Sequence, residues 1–206
     1  ERHLSIDPRG LAALRVCLGL VLLVDLATRV PFLSTFYTGV GLTPPALTLE
    51  AHVWHSLLPH ALAGSLAAQG TVWLLAAVCA ATLLVGWRTR WAVLGCWMLT
   101  LSLHLRNPLV LDSGDKLLHL LLFWGLFLPM GACWSLDARS RLSQTSRPGA
   151  VAAITSVGSA ALLLQVALLY LCAGLLKLTQ DEWRSGEPVG YVLRQEFWLR
   201  PAGEWL

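Results

Sequence analysis

Residues 150–178 read AVAAITSVGSAALLLQVALLYLCAGLLKL. From Ala150 to Leu176 no side chain carries a formal charge. At ~1.5 Å per residue, a helix over this stretch rises roughly 40 Å, more than the ~30 Å of bilayer hydrocarbon. Apolar residues occur at every angle around that helix, so no polar face is left for water. The stretch predicts a transmembrane helix over 150–178, and the rest of the chain repeats the pattern.

Of the 206 residues, 56% are hydrophobic and only 13% are charged. The mean hydropathy is +0.63. Soluble domains carry about twice that charge fraction. The length suits one domain, 1–206. The net charge of +3 is too small to imply nucleic-acid binding, and in a membrane protein positive charge reports topology. Cys17, Cys79, Cys96, Cys133 and Cys172 form no CxxC pair. They read as buried hydrophobes, with neither a disulfide framework nor a metal site expected. The first apolar run carries Arg15 and Asp25 and is too long for a signal-peptide core, so it reads as a mature span.

Asp7-Pro8 starts that first helix, with Asp7 as cap and Pro8 at the first helical position, and the span covers 8–30. Further spans are predicted over 67–86, 91–105 and 115–129. Together with 150–178 they give an all-α integral membrane protein of about five transmembrane helices plus one interfacial helix. The interfacial helix is expected over 44–63, too polar to cross, with Trp54, His52, His55 and His60 at the membrane face. Residues 179–206 form a polar, aromatic tail. Arg2, Arg9, Arg15, Arg88, Arg90, Arg139, Arg141 and Arg147 collect on one side. Arg29, Arg106, Lys116 and the tail, itself with Arg184, Arg194 and Arg200, fall on the other. The excess predicts a cytoplasmic N-terminus and an extracytoplasmic tail.

Ionisable groups in or beside spans cost roughly 2.5–3.5 kcal/mol at a helix centre and need a reason to be there. Asp25, His104, Arg106, Asp112, Asp115, His119 and Lys177 are all expected toward the non-cytoplasmic end. Lys177 shares a helical face with Tyr170, Gly174 and Asp181. Desolvation would make Lys177 a neutral amine and a general base. The competing reading is a lysine snorkelling to the interface or paired with Asp181. Asp115 and His119, at i and i+4, form either a hydrogen-bonded pair that fixes the imidazole or a helix cap beside an interfacial histidine. Asp25 and Arg29 make a better pair than Arg15 and Asp25.

Several stretches together resemble one family. They are Asp7-Pro8-Arg9 through Leu14-Arg15 with Asp25 and Arg29; Phe36-Tyr37-Thr38-Gly39-Val40-Gly41-Leu42-Thr43-Pro44; and Arg106-Asn107-Pro108 before Gly114-Asp115. Phe123-Trp124 to Phe127-Leu128-Pro129, Trp134-Ser135-Leu136-Asp137, and Tyr170, Ala173-Gly174, Lys177-Leu178, Trp183 and Gly186 complete the set. In order and spacing these resemble the HTTM family, the membrane domain related to vitamin K-dependent gamma-carboxylase. In the carboxylase, the lysine of the matching Ala-Gly-x-x-Lys-Leu stretch deprotonates vitamin K hydroquinone. The resemblance therefore implies Lys177 as the base, a quinone or hydroquinone as cofactor, and a bacterial inner (plasma) membrane. Helix faces and the shared non-cytoplasmic end, not the resemblance, add Asp115 and His119 as expected catalytic partners and Tyr170 and Gly174 as expected cofactor-binding residues. Two departures weigh against protein carboxylation. Ser113-Gly114-Asp115 stands where the carboxylase carries Asn-His-Ser, and the chain holds no counterpart of its large extramembranous domain. Two other expectations stay open: a non-enzymatic subunit docked to other membrane subunits in the lipid bilayer, and a DoxX-like quinone-linked subunit.

Overall fold

The computed structural model describes residues 5–39, 58–144, 154–155 and 157–194. Its helices are α1 (Pro8–Arg29), α2 (Leu33–Tyr37), α3 (Pro59–Leu62), α4 (Leu66–Val85), α5 (Thr89–Arg106), α6 (Ser113–Gly125), α7 (Leu136–Gln144), α8 (Val157–Leu178), α9 (Asp181–Ser185) and α10 (Glu187–Arg194). Short 3₁₀ turns at Val30–Phe32 and Pro108–Val110 join α1 to α2 and α5 to α6. Among the described residues three helical stretches are long and apolar enough to cross a membrane: Pro8–Tyr37, Leu66–Val85 and Val157–Leu178. The protein is an all-α integral membrane protein whose apolar helices meet lipid.

The expected third and fourth spans are present as helices with shifted ends. α5 has 18 residues and carries Arg90, His104 and Arg106. α6 has 13 residues and stops at Gly125, before Pro129, because a residue preceding proline is pushed out of the helical region and the chain turns early. The helix expected to start at 150 instead starts at Val157. Ile154 and Thr155 are extended and pair antiparallel with Ile6 and Ser5, as β-branched side chains favour. Of the expected interfacial helix, residues 44–57 lie outside the described residues; the part described is α3.

The chain divides into two compact units, residues 1–160 and 161–206. In the first, α1 packs along α4, α4 along α5, and α5 along α6. Asp7 caps α1 by accepting from the Arg9 N–H at 2.8 Å, with Pro8 at the first position. The buried positions of α1 form one stripe: Leu11, Arg15, Leu18, Gly19, Leu22 and Leu26. Leu20, Val21 and Val24 face outward, as expected of a helix whose outer solvent is hydrocarbon. Gly19 sets the crossing: a Cβ there would stand 2.9 Å from Leu84 Cα on α4.

α4 starts on a Ser65 cap. It ends in the left-handed Gly86 (φ 72°), with the Trp87 N–H returning to Thr82 O and the Gly86 N–H to Leu83 O. That paired closure is the Schellman motif, which glycine permits without strain. Arg15 adds further donors to this helix end. Its fully buried guanidinium donates to Leu83 O (2.6 Å), Leu84 O and Trp134 O (2.6 Å). The next turn is held by Asp137, whose carboxylate accepts from the Arg88 and Thr89 N–H groups and the Thr89 hydroxyl. Burial pushes the Asp137 carboxyl up, but these donors and nearby Arg141 outweigh it and hold it below the usual carboxylate range.

The second unit consists of most of α8 with α9 and α10, the last two separated by Gly186 at φ 82°. The tail expected over 179–206 is helical as far as Arg194.

Candidate functional site

The C-terminal ends of α1 and α5 and the N-terminal ends of α4 and α6 each bring polar residues to one place. Arg29, on the last turn of α1, is the hub. Its Nε donates to Asp25 Oδ1 at 2.7 Å, its Nη2 to Asp115 Oδ1 at 2.8 Å, and its Nη1 to the Tyr37 hydroxyl at 3.2 Å. The Asp25–Arg29 pairing is the one expected from their spacing. Asp115 is fixed from its own helix as well. Asp112 Oδ1 accepts from the Asp115 N–H and Asp115 Oδ2 accepts from the Asp112 N–H, a reciprocal capping box. Asp115 is thus both a helix cap and an ion-pair partner 86 residues from Arg29.

The expected Asp115–His119 pair is replaced. His104 on α5 brings Nε2 to 3.7 Å from Asp115 Oδ1, an electrostatic contact longer than a hydrogen bond. His119 instead lies flat against Trp97, with ring centroids 5.4 Å apart, and 6.2 Å from the His104 ring. The reason is local: Asp115 spends its two oxygens on Arg29 and the Asp112 N–H, while the aromatic side chains of Trp97 and Phe123 hold the face that His119 occupies. His104 Nε2, His119 Nδ1 and Trp97 Nε1 are all buried without a hydrogen-bond partner.

A second polar knot braces the first. Gln69, fully buried in α4, donates from Nε2 to Tyr37 O, His60 O and Ala63 O at 2.7–2.8 Å. Its Oε1 lies 2.9 Å from His60 Nδ1. An amide oxygen only accepts, so Nδ1 bears the imidazole proton. His60 was expected at the membrane face but is fully buried, edge-on to Trp73, with its own N–H given to Ser102 Oγ. Burial lowers the His60 pKa below its ordinary value, aided by Arg106, against the Gln69 contact that raises it. Arg106 donates to Thr38 O and Asn107 to Phe36 O, tying the α5 end to the segment after α2. Gln69 was not singled out from the sequence, where its signal was a lone amide inside an apolar run; Tyr37 stood out only as part of a stretch of family resemblance.

Lys177, Tyr170 and Gly174 belong to the second unit. There the Lys177 ammonium lies over the Trp183 ring, 4.3 Å from its centroid. The ring face attracts the cation, so Trp183, not Asp181, is its partner, and Asp181 meets Arg184 at 3.7 Å. Tyr170 is 69% exposed. Gly174 adds no bulk between Tyr170 and Lys177, and a Cβ there would meet nothing within 4 Å. Among the described residues no group of three or more His, Cys, Asp and Glu side chains could hold a metal ion.

No curated protein and no solved structure matches the chain. The family model described as the HTTM domain matches residues 3–201, nearly the whole chain. The chain therefore belongs to the HTTM domain family.

Proposed function

We propose that this HTTM-family membrane protein is a quinone-handling enzyme in which Lys177 removes a proton from a phenolic hydroxyl of a hydroquinone. The observation that most supports quinone handling is the set of buried ring nitrogens of His104, His119 and Trp97 without hydrogen-bond partners beside the Arg29–Asp115 pair. Buried polar atoms are normally satisfied, and the Trp97 N–H is a donor of the kind a quinone oxygen accepts. A bound hydroquinone would supply a redox-active aromatic ring with ionisable hydroxyls. In this reading Gly174 leaves room for a flat ring and Tyr170 borders it. Lys177 acts after leaving the Trp183 face; the proton moves from the phenolic oxygen to Nζ. The reading includes five alternating crossings, 8–30, 67–86, 91–105, 115–129 and 150–178, within one domain. It also places the N-terminus in the cytoplasm of a bacterial inner membrane.

The test is oxygen uptake by reduced naphthoquinone in liposomes carrying the full chain. Uptake above protein-free liposomes is expected for the wild type, and its loss is expected for Lys177→Ala with unchanged expression and thermal stability. Full uptake by Lys177→Ala contradicts the assignment. A second reading, a non-enzymatic subunit, draws on the outer surface of α8, where Leu164, Leu171, Leu175 and Leu176 are all more than half exposed. In that reading other membrane subunits cover this surface.

A further inference from the structure

At the opposite end of the first unit, the start of α5, the segment after α6 and the helix α7 form an open cavity of about 520 Å³. Arg88, Arg90 and Arg141 line it, and its accessible apolar lining is Trp91, Pro129 and Ala132. We propose that this cavity is a binding site for the headgroup and upper acyl region of an anionic phospholipid.

Charge is the first argument. Three arginines and one carboxylate, Asp137, line the cavity, and that carboxylate is already committed to the Arg88 and Thr89 N–H groups and the Thr89 hydroxyl. Arg141 holds its place through Gly131 O and Asp137 O. Arg90 makes no hydrogen bond or ion pair with any described residue, so its planar donor fork is free for a phosphate, which it matches in geometry. Arg88 is held in the left-handed region at φ 45°, ψ 48°. A non-glycine residue persists there only where its surroundings fix it. The Asp137 contact to its N–H does so, and its guanidinium lies beside the Trp87 ring at 5.7 Å.

Depth is the second argument. Trp87, Trp91 and Trp134 are exposed at this end, Trp91 at 71%. Exposed tryptophans next to arginines at helix ends mark headgroup level. A basic pocket between transmembrane helices at that level is the arrangement that takes phosphate-bearing lipid heads. The apolar wall decides between sources. A free phosphate has no use for Trp91, Pro129 and Ala132, whereas a lipid lays its glycerol and first methylenes against them.

The experiment uses the full chain, purified in detergent and reconstituted into phosphatidylcholine nanodiscs titrated with phosphatidylglycerol. Bound lipid is counted by native mass spectrometry. Retention of phosphatidylglycerol over phosphatidylcholine is expected, with about fivefold weaker retention in Arg90→Gln. Arg139→Gln, on the exposed side of α7 away from the cavity, is expected to behave as wild type. Thermal melts of both variants check folding, and both residues lack partners that a substitution would break. Equal weakening in the two variants would show a diffuse basic surface and overturn the site. No preference for phosphatidylglycerol would do the same. Displacement of the lipid by inorganic phosphate as readily as by phosphatidylglycerol would assign the site to a free anion instead.

Discussion

Replacing Arg29 with methionine removes the charged hub of the buried network while keeping an unbranched apolar stem. Arg29 holds Asp25 at 2.7 Å and Asp115 at 2.8 Å, and all three side chains are less than a quarter exposed. Two charges about 4 Å apart interact by about 4 kcal/mol at an effective dielectric of about 20. Removing Arg29 also relieves the burial of its own charge, which offsets part of the loss. What remains is two uncompensated carboxylates, a change that costs about 3–5 kcal/mol in buried pairs. Unfolded membrane helices find other polar partners, and measured interhelical terms are small, about 0.6 kcal/mol on average. We therefore expect the low end, about 3 kcal/mol, for Arg29→Met. Asp115→Asn leaves Arg29 paired with Asp25 and should cost about 1–2 kcal/mol. The double variant should lose less than the sum of the two, because the uncompensated Asp115 charge is gone. Reversible unfolding in mixed micelles, followed by tryptophan fluorescence, measures all three. A loss under about 1 kcal/mol for Arg29→Met, or additivity within about 0.5 kcal/mol, would refute the hub.

Three other outcomes follow from the same structure. The His60 pKa lies below its unfolded value of about 6.5, so the fold prefers the neutral imidazole. Stability is full above that unfolded value and falls as pH drops through the window down to the folded value; His60→Gln should flatten this slope in micelle unfolding, and an unchanged slope would assign it elsewhere. Gly86→Ala meets both a left-handed φ and a Cβ placed 2.4 Å from Ser135 Cβ and 2.7 Å from Arg15 Nη1. It should cost more than the ~1 kcal/mol of the backbone alone, read as a lower thermal midpoint; a neutral result would mean that the Arg15 bridge is loose. Cysteines at positions 140 and 185 should label from opposite sides of the membrane, and labelling of both from one side would overturn the five-crossing topology.

Apolar runs are long-range statements made locally, which is why the helices near 8–30, 67–86 and 150–178 were legible from sequence. Bilayer thickness imposes their length and lipid removes any need for a polar face. The Asp7-Pro8 start and the Asp25–Arg29 pair were legible for the same reason, since each is contained within a few residues of one helix. Helix ends at Gly125 and Val157 were less so. There a proline four residues on, and an extended pairing with Ser5 and Ile6, decide the boundary. The candidate site was legible only in its inventory. Asp115, His104 and His119 stood out as ionisable groups at helix ends, but which of them meet depends on how α1, α5 and α6 pack. Spacing suggested His119 for Asp115; packing supplied Arg29 and His104 instead. Gln69 and Tyr37 gain their importance from carbonyls and side chains far along the chain, which no local pattern encodes.

The proposal that Lys177 deprotonates a hydroquinone is tested most directly by the ultraviolet spectrum of a naphthohydroquinone bound anaerobically to the full chain in nanodiscs, near neutral pH. With the wild type, the bound compound should show the absorption of the ionised phenol, and with Lys177→Met only that of the neutral phenol. Identical spectra in the two proteins, or no retention of the compound by the wild type, would contradict the account.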